Sequence, residues 1–230
     1  MQNPNASRLL VVLLTLMVSC GKNKNSSPEI SSPGGEEVFL QTEPQGIYRV
    51  LLKPMNSQKA MGTADIRITG DNVNLRLTML DTPANVTHLQ YISTGDECPG
   101  AQADINTDGF IDGPEVLAHE EKILIPLDGD ISTQSGGAAK FPRANGSGYY
   151  SYRKSTSLNL LLQDLRTPQI EDDVVKLGPN EGINLNHRHL IILGVAESTK
   201  LPETVGSIKE LTKSASLPIA CGKIMKILEE

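Results

Sequence analysis

The segment Asn72-Val73-Asn74-Leu75-Arg76-Leu77-Thr78-Met79 alternates polar and apolar residues without a fault. A period of two puts Val73, Leu75, Leu77 and Met79 on one face of a strand and leaves the other face to solvent. Just upstream, Ile66 and Ile68 alternate with Asp65, Arg67 and Thr69, and Gly70-Asp71 separates the two runs, which predicts a hairpin. Further strands are expected over Tyr48 to Lys53, His88 to Ile92, Lys122 to Leu127, Tyr149 to Arg153, Leu158 to Leu162, Leu190 to Val195 and Cys221 to Ile227. Helical spacing is confined to short stretches after Pro114 and near Thr204 to Lys213. Many short strands with turn residues between them predict an all-β sandwich or barrel.

The chain has 230 residues, 38% of them hydrophobic, enough for one sizeable core. A net charge of -6 and the absence of any basic run argue against nucleic acid as a partner, because that binding draws on clustered Lys and Arg. Aromatic content of 3% with no Trp leaves little from which to build stacking platforms for bases or sugars.

Residues 1–19 have the order of an export signal: Arg8, an apolar run from Leu9 to Val18, then Ser19. That run is too short for a stable membrane span. Met17-Val18-Ser19-Cys20 resembles the bacterial lipobox, which implies that Cys20 is the acylated first residue of the mature chain. Each buried methylene of an acyl chain contributes about 0.8 kcal/mol, so several chains anchor stably. Gly21 after Cys20, rather than Asp, suits an outer-membrane address. Residues 20–45 are rich in Asn, Ser, Pro, Gly and charge and are expected to be a tether, with the folded domain spanning 46–230. With Cys20 acylated, Cys98 and Cys221 are left as an even pair in an exported setting, and a disulfide between them is expected. It would close a loop of more than a hundred residues, which the chain-entropy model values at roughly 4 to 5 kcal/mol.

Asp104 to Glu115 fits the twelve-residue EF-hand calcium loop at each diagnostic place. Asp104, Asn106 and Asp108 supply side-chain oxygens at positions 1, 3 and 5. Phe110 offers its carbonyl at 7, Asp112 sits at 9, and Glu115 is the bidentate ligand at 12. Gly109 at 6 allows the sharp turn, and Ile111 at 8 can point into the core. Four carboxylates drawn together without a cation would repel one another. Cys98-Pro99-Gly100 stands where an EF-hand has its first helix, and only a short Pro114-led helix can follow. A lone, tied site of this kind predicts structural calcium rather than a sensor.

The order of features from about Ile47 to Ile227 resembles the copper-zinc superoxide dismutase family. Tyr48-Arg49-Val50-Leu51-Leu52 is similar to its first strand, Met61-Gly62-Thr63-Ala64 to its second, and Arg188-His189-Leu190-Ile191-Ile192-Leu193-Gly194 to the strand that ends in a metal-binding His. Leu217-Pro218-Ile219-Ala220-Cys221-Gly222-Lys223-Ile224 is similar to its closing segment, and Cys98 and Cys221 match its intrasubunit disulfide. The resemblance implies a Greek-key β-barrel with long loops. It does not carry the copper site, because His88 takes the first ligand place while Gln90 and Leu193 stand at two others. The place of the family's substrate-guiding Arg falls near Pro218, so that residue is not carried over either. In the zinc-ligand region His119 is the sole His, and the calcium loop takes up the space. Copper and zinc are therefore not expected.

Three readings follow. The first is a noncatalytic, calcium-binding envelope lipoprotein with a dismutase-like domain. The second is a divergent metalloenzyme with copper on His88, His187 and His189. The third is an envelope binding module that presents the loop from Gly129 to Gly148 to a partner. Nothing in the sequence names a protein partner or an oligomeric state.

Overall fold

The computed structural model describes residues 43–118, 122–134, 140–168 and 175–228. The expected export signal, Cys20, most of the expected tether, His119 and the middle of the 129–148 loop lie outside the described residues. The end of the expected tether belongs to the domain: Glu43 is buried, and its carboxylate accepts bonds from the Asn184 and Leu185 amides, each at 2.8 Å.

The described residues form eight strands: β1 (Gly46–Pro54), β2 (Met61–Thr69), β3 (Asn72–Leu80), β4 (Gln90–Ser93), β5 (Ile123–Pro126), β6 (Tyr150–Ser157), β7 (His189–Leu193) and β8 (Pro218–Leu228). All pairings are antiparallel, in the order β5-β4-β7-β8-β1-β2-β3-β6. The last strand lies beside the first, next to the β1-β2-β3 meander, which is a Greek-key order. The expected all-β Greek-key architecture is met, including the short helix after the acidic loop, α1 (Gly113–Ala118).

The alternation that predicted the hairpin does its work in the core. Tyr48, Val50, Ile66, Ile68, Val73, Leu75, Leu77 and Met79 point inward and share one cluster with Ile92, Leu124 and Leu190 from the other end of the sheet. The sheet therefore curls around its own core. Its two edge strands, β5 and β6, are not paired, and side chains close that seam. Tyr152 Oη donates to the Asp128 carbonyl at 2.7 Å, Lys154 Nζ to the Gly129 carbonyl at 2.6 Å, and Tyr150 Oη to Gln90 Oε1 at 3.0 Å.

Two expectations need correction. Leu158 to Leu162 is not a strand; α2 runs over Leu158–Arg166. Leu158, Leu161, Leu162 and Leu165 fall at i, i+3, i+4 and i+7, a helical stripe, and Ser157 caps the first turn by accepting from the Leu160 amide. Five residues of a nine-residue helix read as a run of leucines because the window stopped short. Near Thr204 to Lys213 the helix is displaced: α3 covers Lys213–Ser216, capped by Thr212, and the residues before it are turns and loop.

The β4 and β7 strands are buried on both faces. Their outer face is covered by a second apolar cluster that joins Tyr91, Ile191 and Leu193 to Val116 of α1 and to Ile208. This second layer carries the candidate site.

Candidate metal centre

The acidic loop is organised by its own side chains. Asp104 accepts from the Asp108 amide at 3.1 Å and the Gly109 amide at 2.9 Å; Asn106 Oδ1 accepts from Asp108 N at 2.9 Å; Asp108 Oδ1 accepts from Phe110 N at 2.9 Å. Such side-chain-to-backbone bonds fold a short acidic segment back on itself. Gly109 has φ 87, a left-handed conformation natural to glycine, whereas Thr107 holds φ 59 with a β-branched side chain.

Asp112 and Glu115 form a reciprocal cap on α1. Asp112 Oδ1 accepts from the Glu115 amide at 3.0 Å, and Glu115 Oε2 accepts from the Asp112 amide at 3.0 Å. The other oxygen of Glu115 reaches back across the loop to the Ile105 and Asn106 amides, at 2.9 and 3.1 Å. Position 12 is thereby tied to positions 2 and 3.

Sequence reasoning missed the residues that tie the loop to the sheet. Asn56, in the β1–β2 turn, donates to the Ile111 carbonyl and accepts from the Ile111 amide, both at 2.8 Å. Thr204 Oγ1 donates to Asp108 Oδ2 at 2.6 Å, and the Gly206 amide donates to Asp112. The Thr204 hydroxyl, followed by the Phe110 amide and Asn106, holds the Asp108 carboxyl below the ordinary carboxylate range. Sequence distance hid these partners, since Asn56 and Thr204 are far from the motif along the chain. Ile111 packs against the second apolar cluster and Phe110 against the main core, so the loop is anchored from both sides. In place of an EF-hand's first helix there is one 3-10 turn, Ala101–Ala103.

The charge arrangement of the loop is unusual. Asp112 is 3% exposed and Glu115 7%, yet among the described residues no Lys or Arg pairs with either. Carboxylates so well covered ordinarily have a cationic or metal partner. Amide donors stabilise each one singly but do not cancel the repulsion among the four acids. The donor set is all oxygen, which suits a hard cation. Among the described residues, no three His, Cys, Asp or Glu side chains are already gathered into a coordination cluster. The acids are instead turned onto the loop's amides.

Cys98 and Cys221 form a disulfide that joins the start of the acidic loop to β8, with a Cα–Cα distance of 5.9 Å.

The three histidines are not brought together. His88 is fully buried at the Leu193 end of β7, with Nδ1 3.0 Å from the Leu193 carbonyl oxygen and its ring stacked on Tyr150. Burial holds its pKa below the ordinary value, against a weaker upward pull from the Leu193, Pro83 and Gly194 backbone. His189 lies at the opposite end of β7, four residues away along an extended strand, with Nδ1 2.9 Å from the Gly95 carbonyl oxygen. His187 is exposed and sits 3.7 Å from Asp96. Gln90, at the second imidazole place of the resemblance, is fully occupied: Nε2 donates to the Leu127 carbonyl at 2.9 Å while Oε1 accepts from Tyr150. The described ends of the 129–148 loop are fastened to the barrel, Gln134 Nε2 donating to the Leu124 and Val175 carbonyls at 2.6 and 2.9 Å.

No protein-family model matches this sequence, and no curated protein matches it. Among solved structures, a point mutant of superoxide dismutase 5 of Candida albicans is similar, with 9% sequence identity, 82% of this chain and 96% of that chain covered, and a TM-score of 0.35. At that score and identity no residue role is carried across.

Proposed function

We propose that the chain is a lipid-anchored, calcium-binding, noncatalytic protein of the bacterial envelope, built on a superoxide dismutase-like β domain. The observation that carries the calcium reading is the burial of Asp112 and Glu115 with no Lys or Arg beside them among the described residues. Asp104, Asn106, Asp108, Asp112, Glu115 and the Phe110 carbonyl would hold the ion. It would supply a positive centre that cancels their repulsion and clamps the second layer to β8 beside the disulfide.

The noncatalytic reading rests on how the residues at the family's copper places are used. Gln90 and Tyr150 close the barrel seam, and His88 is a buried ring stacked on Tyr150, its pKa held down by burial. A copper redox site needs several imidazoles aimed at one point. Lipid anchorage rests on the Met17 to Cys20 motif and the export-signal pattern before it.

Calorimetric titration with calcium tests the site. One ion per chain is expected, with binding abolished by Glu115→Gln and Asp112→Asn together; heatless titration of the unaltered chain sinks the calcium reading. Copper uptake with dismutation that disappears in His88→Gln would overturn the noncatalytic one. Metabolic labelling with a fatty-acid analogue should mark the chain and fail to mark Cys20→Ser; equal labelling of both refutes the anchor.

A further inference from the structure

On the outer face of the sheet, the strand register lines up residues that are far apart in sequence. Arg49 of β1 stands opposite Asp65 of β2, Asp65 opposite Arg76 of β3, and Arg76 opposite Arg153 of β6. At about 4.8 Å between strands, this row crosses four strands. Arg67 stands two residues along β2, opposite Asn74. All four arginines are exposed. Arg49, Arg67 and Arg76 border a hollow of about 600 Å³ formed with Ile47, Asp65, Asn74 and Ile227, and Arg153 lines a second hollow that shares Asn74 and Arg76 with it.

The row holds one acid, and that acid is taken. Arg49 grips Asp65 with two bonds, Nε to Oδ1 at 2.7 Å and Nη2 to Oδ2 at 3.3 Å. The side chains of Arg76 and Arg153 make no ion pair or hydrogen bond among the described residues. Like charges directly opposite on neighbouring strands destabilise a sheet. This chain nevertheless keeps two arginines there, on a protein whose net charge is -6. Arginine is the weakly hydrated cation whose planar fork matches phosphate.

We propose that this arginine row is a docking surface for anionic phospholipid headgroups, so that the outer face of β1-β2-β3-β6 lies against the membrane. The occupant is chosen on three grounds. A planar surface touches one face, whereas a long polyanion would also meet the acidic remainder of the chain. The flanks of the hollow are Ile47 and Ile227, the latter 41% exposed, and aromatic rings for base stacking are missing from its lining. A lipid on Cys20 would also hold the chain at a membrane, which makes headgroups the anionic surface within its reach. This last ground rests on the lipid-anchor reading.

The test uses the chain from residue 20 with Cys20→Ala, which keeps every residue of the described core and carries no acyl group. It is sedimented with vesicles of phosphatidylcholine alone and of phosphatidylcholine mixed with phosphatidylglycerol. Binding to the mixed vesicles alone, lost on raising salt, is expected. Arg76→Gln with Arg153→Gln should weaken it by about five-fold for each arginine, roughly twenty-five-fold for the pair, while Lys200→Gln changes it less than two-fold. Equal binding to both vesicles, insensitivity to salt in the unaltered chain, or equal loss in Lys200→Gln would overturn the proposal, as would binding to heparin or nucleic acid without binding to vesicles. The salt series needs no variant and stands even if the glutamine pair disturbs folding. Failure of the Cys20 labelling leaves these outcomes readable, and failure of vesicle binding leaves the labelling result intact.

Discussion

The two halves of the sheet are held by different means. In β1, β2, β3 and β6 the strands are eight or nine residues long; β2 and β3 pair over nine consecutive positions and β3 and β6 over eight, with one face packed on the core and the other in solvent. In the other half, β4 and β5 have four residues and β7 five, and both β4–β5 and β7–β8 carry register shifts. Ladder bonds and cross-strand pairs suffice for the first half. The second is buried on both faces under a layer of loops, and that layer is tied down by a disulfide, by the acidic loop with its Asn56 and Thr204 contacts, and by the cap on α1. Short strands offer few ladder bonds, so covalent and electrostatic ties take over.

The largest test of this contrast is removal of the disulfide. Cys98→Ser with Cys221→Ser releases a loop spanning a sequence separation of 123, for which the chain-entropy model gives roughly 5 kcal/mol as an upper figure. Hydrogen exchange should show lost protection in β4, β5 and β7 before β2 and β3. Equal loss across all strands would break the contrast and make the barrel one cooperative unit.

Removal of the proposed calcium comes next. An ion held at about a hundred times its dissociation constant stabilises by about 2.7 kcal/mol, so chelation should lower the melting temperature and again loosen the second half first. In Glu115→Gln the chelator should make no difference.

A smaller effect probes the seam between the halves. Burial lowers the His88 pKa below the ordinary 6.5, so below about pH 6.5 the unfolded chain binds a proton that the folded chain refuses. Stability should fall as pH drops through that range, by at most about 1.4 kcal/mol per pH unit from this one group. Urea unfolding at about pH 7 and about pH 5.5 measures it, with His88→Gln expected to remove that part of the slope. An unchanged slope would mean that His88 is not held neutral by the seam.

The smallest concerns Thr107. Thr107→Gly relieves a β-branched residue in the left-handed region and should raise stability by about 1 kcal/mol at most, part of the gain being returned as backbone entropy. Loss of stability instead would show that the loop depends on the Thr107 side chain.

The strands, the hairpin and the cysteine pair were legible because each depends on local alternation or on counting, and tertiary packing agreed with the local preference. The helix α2 was misread because a leucine run satisfies both periods when only five residues are weighed. The contacts of Asn56 and Thr204 with the acidic loop could not be read, because nothing local distinguishes them from other turn and loop residues.

The acidic loop and the arginine row mark the division most clearly. Twelve consecutive residues give the first its internal shape, since the carboxylate spacing, the turn glycine and the capping pair all lie within one stretch of chain. The second exists only after folding. Arg49 and Arg76 are isolated charges along the sequence, Arg153 has only Lys154 beside it, and no longer basic run announces them. Backbone hydrogen bonding sets the register of four strands, and it is that register, not proximity in the chain, that sets these guanidinium groups side by side on one face.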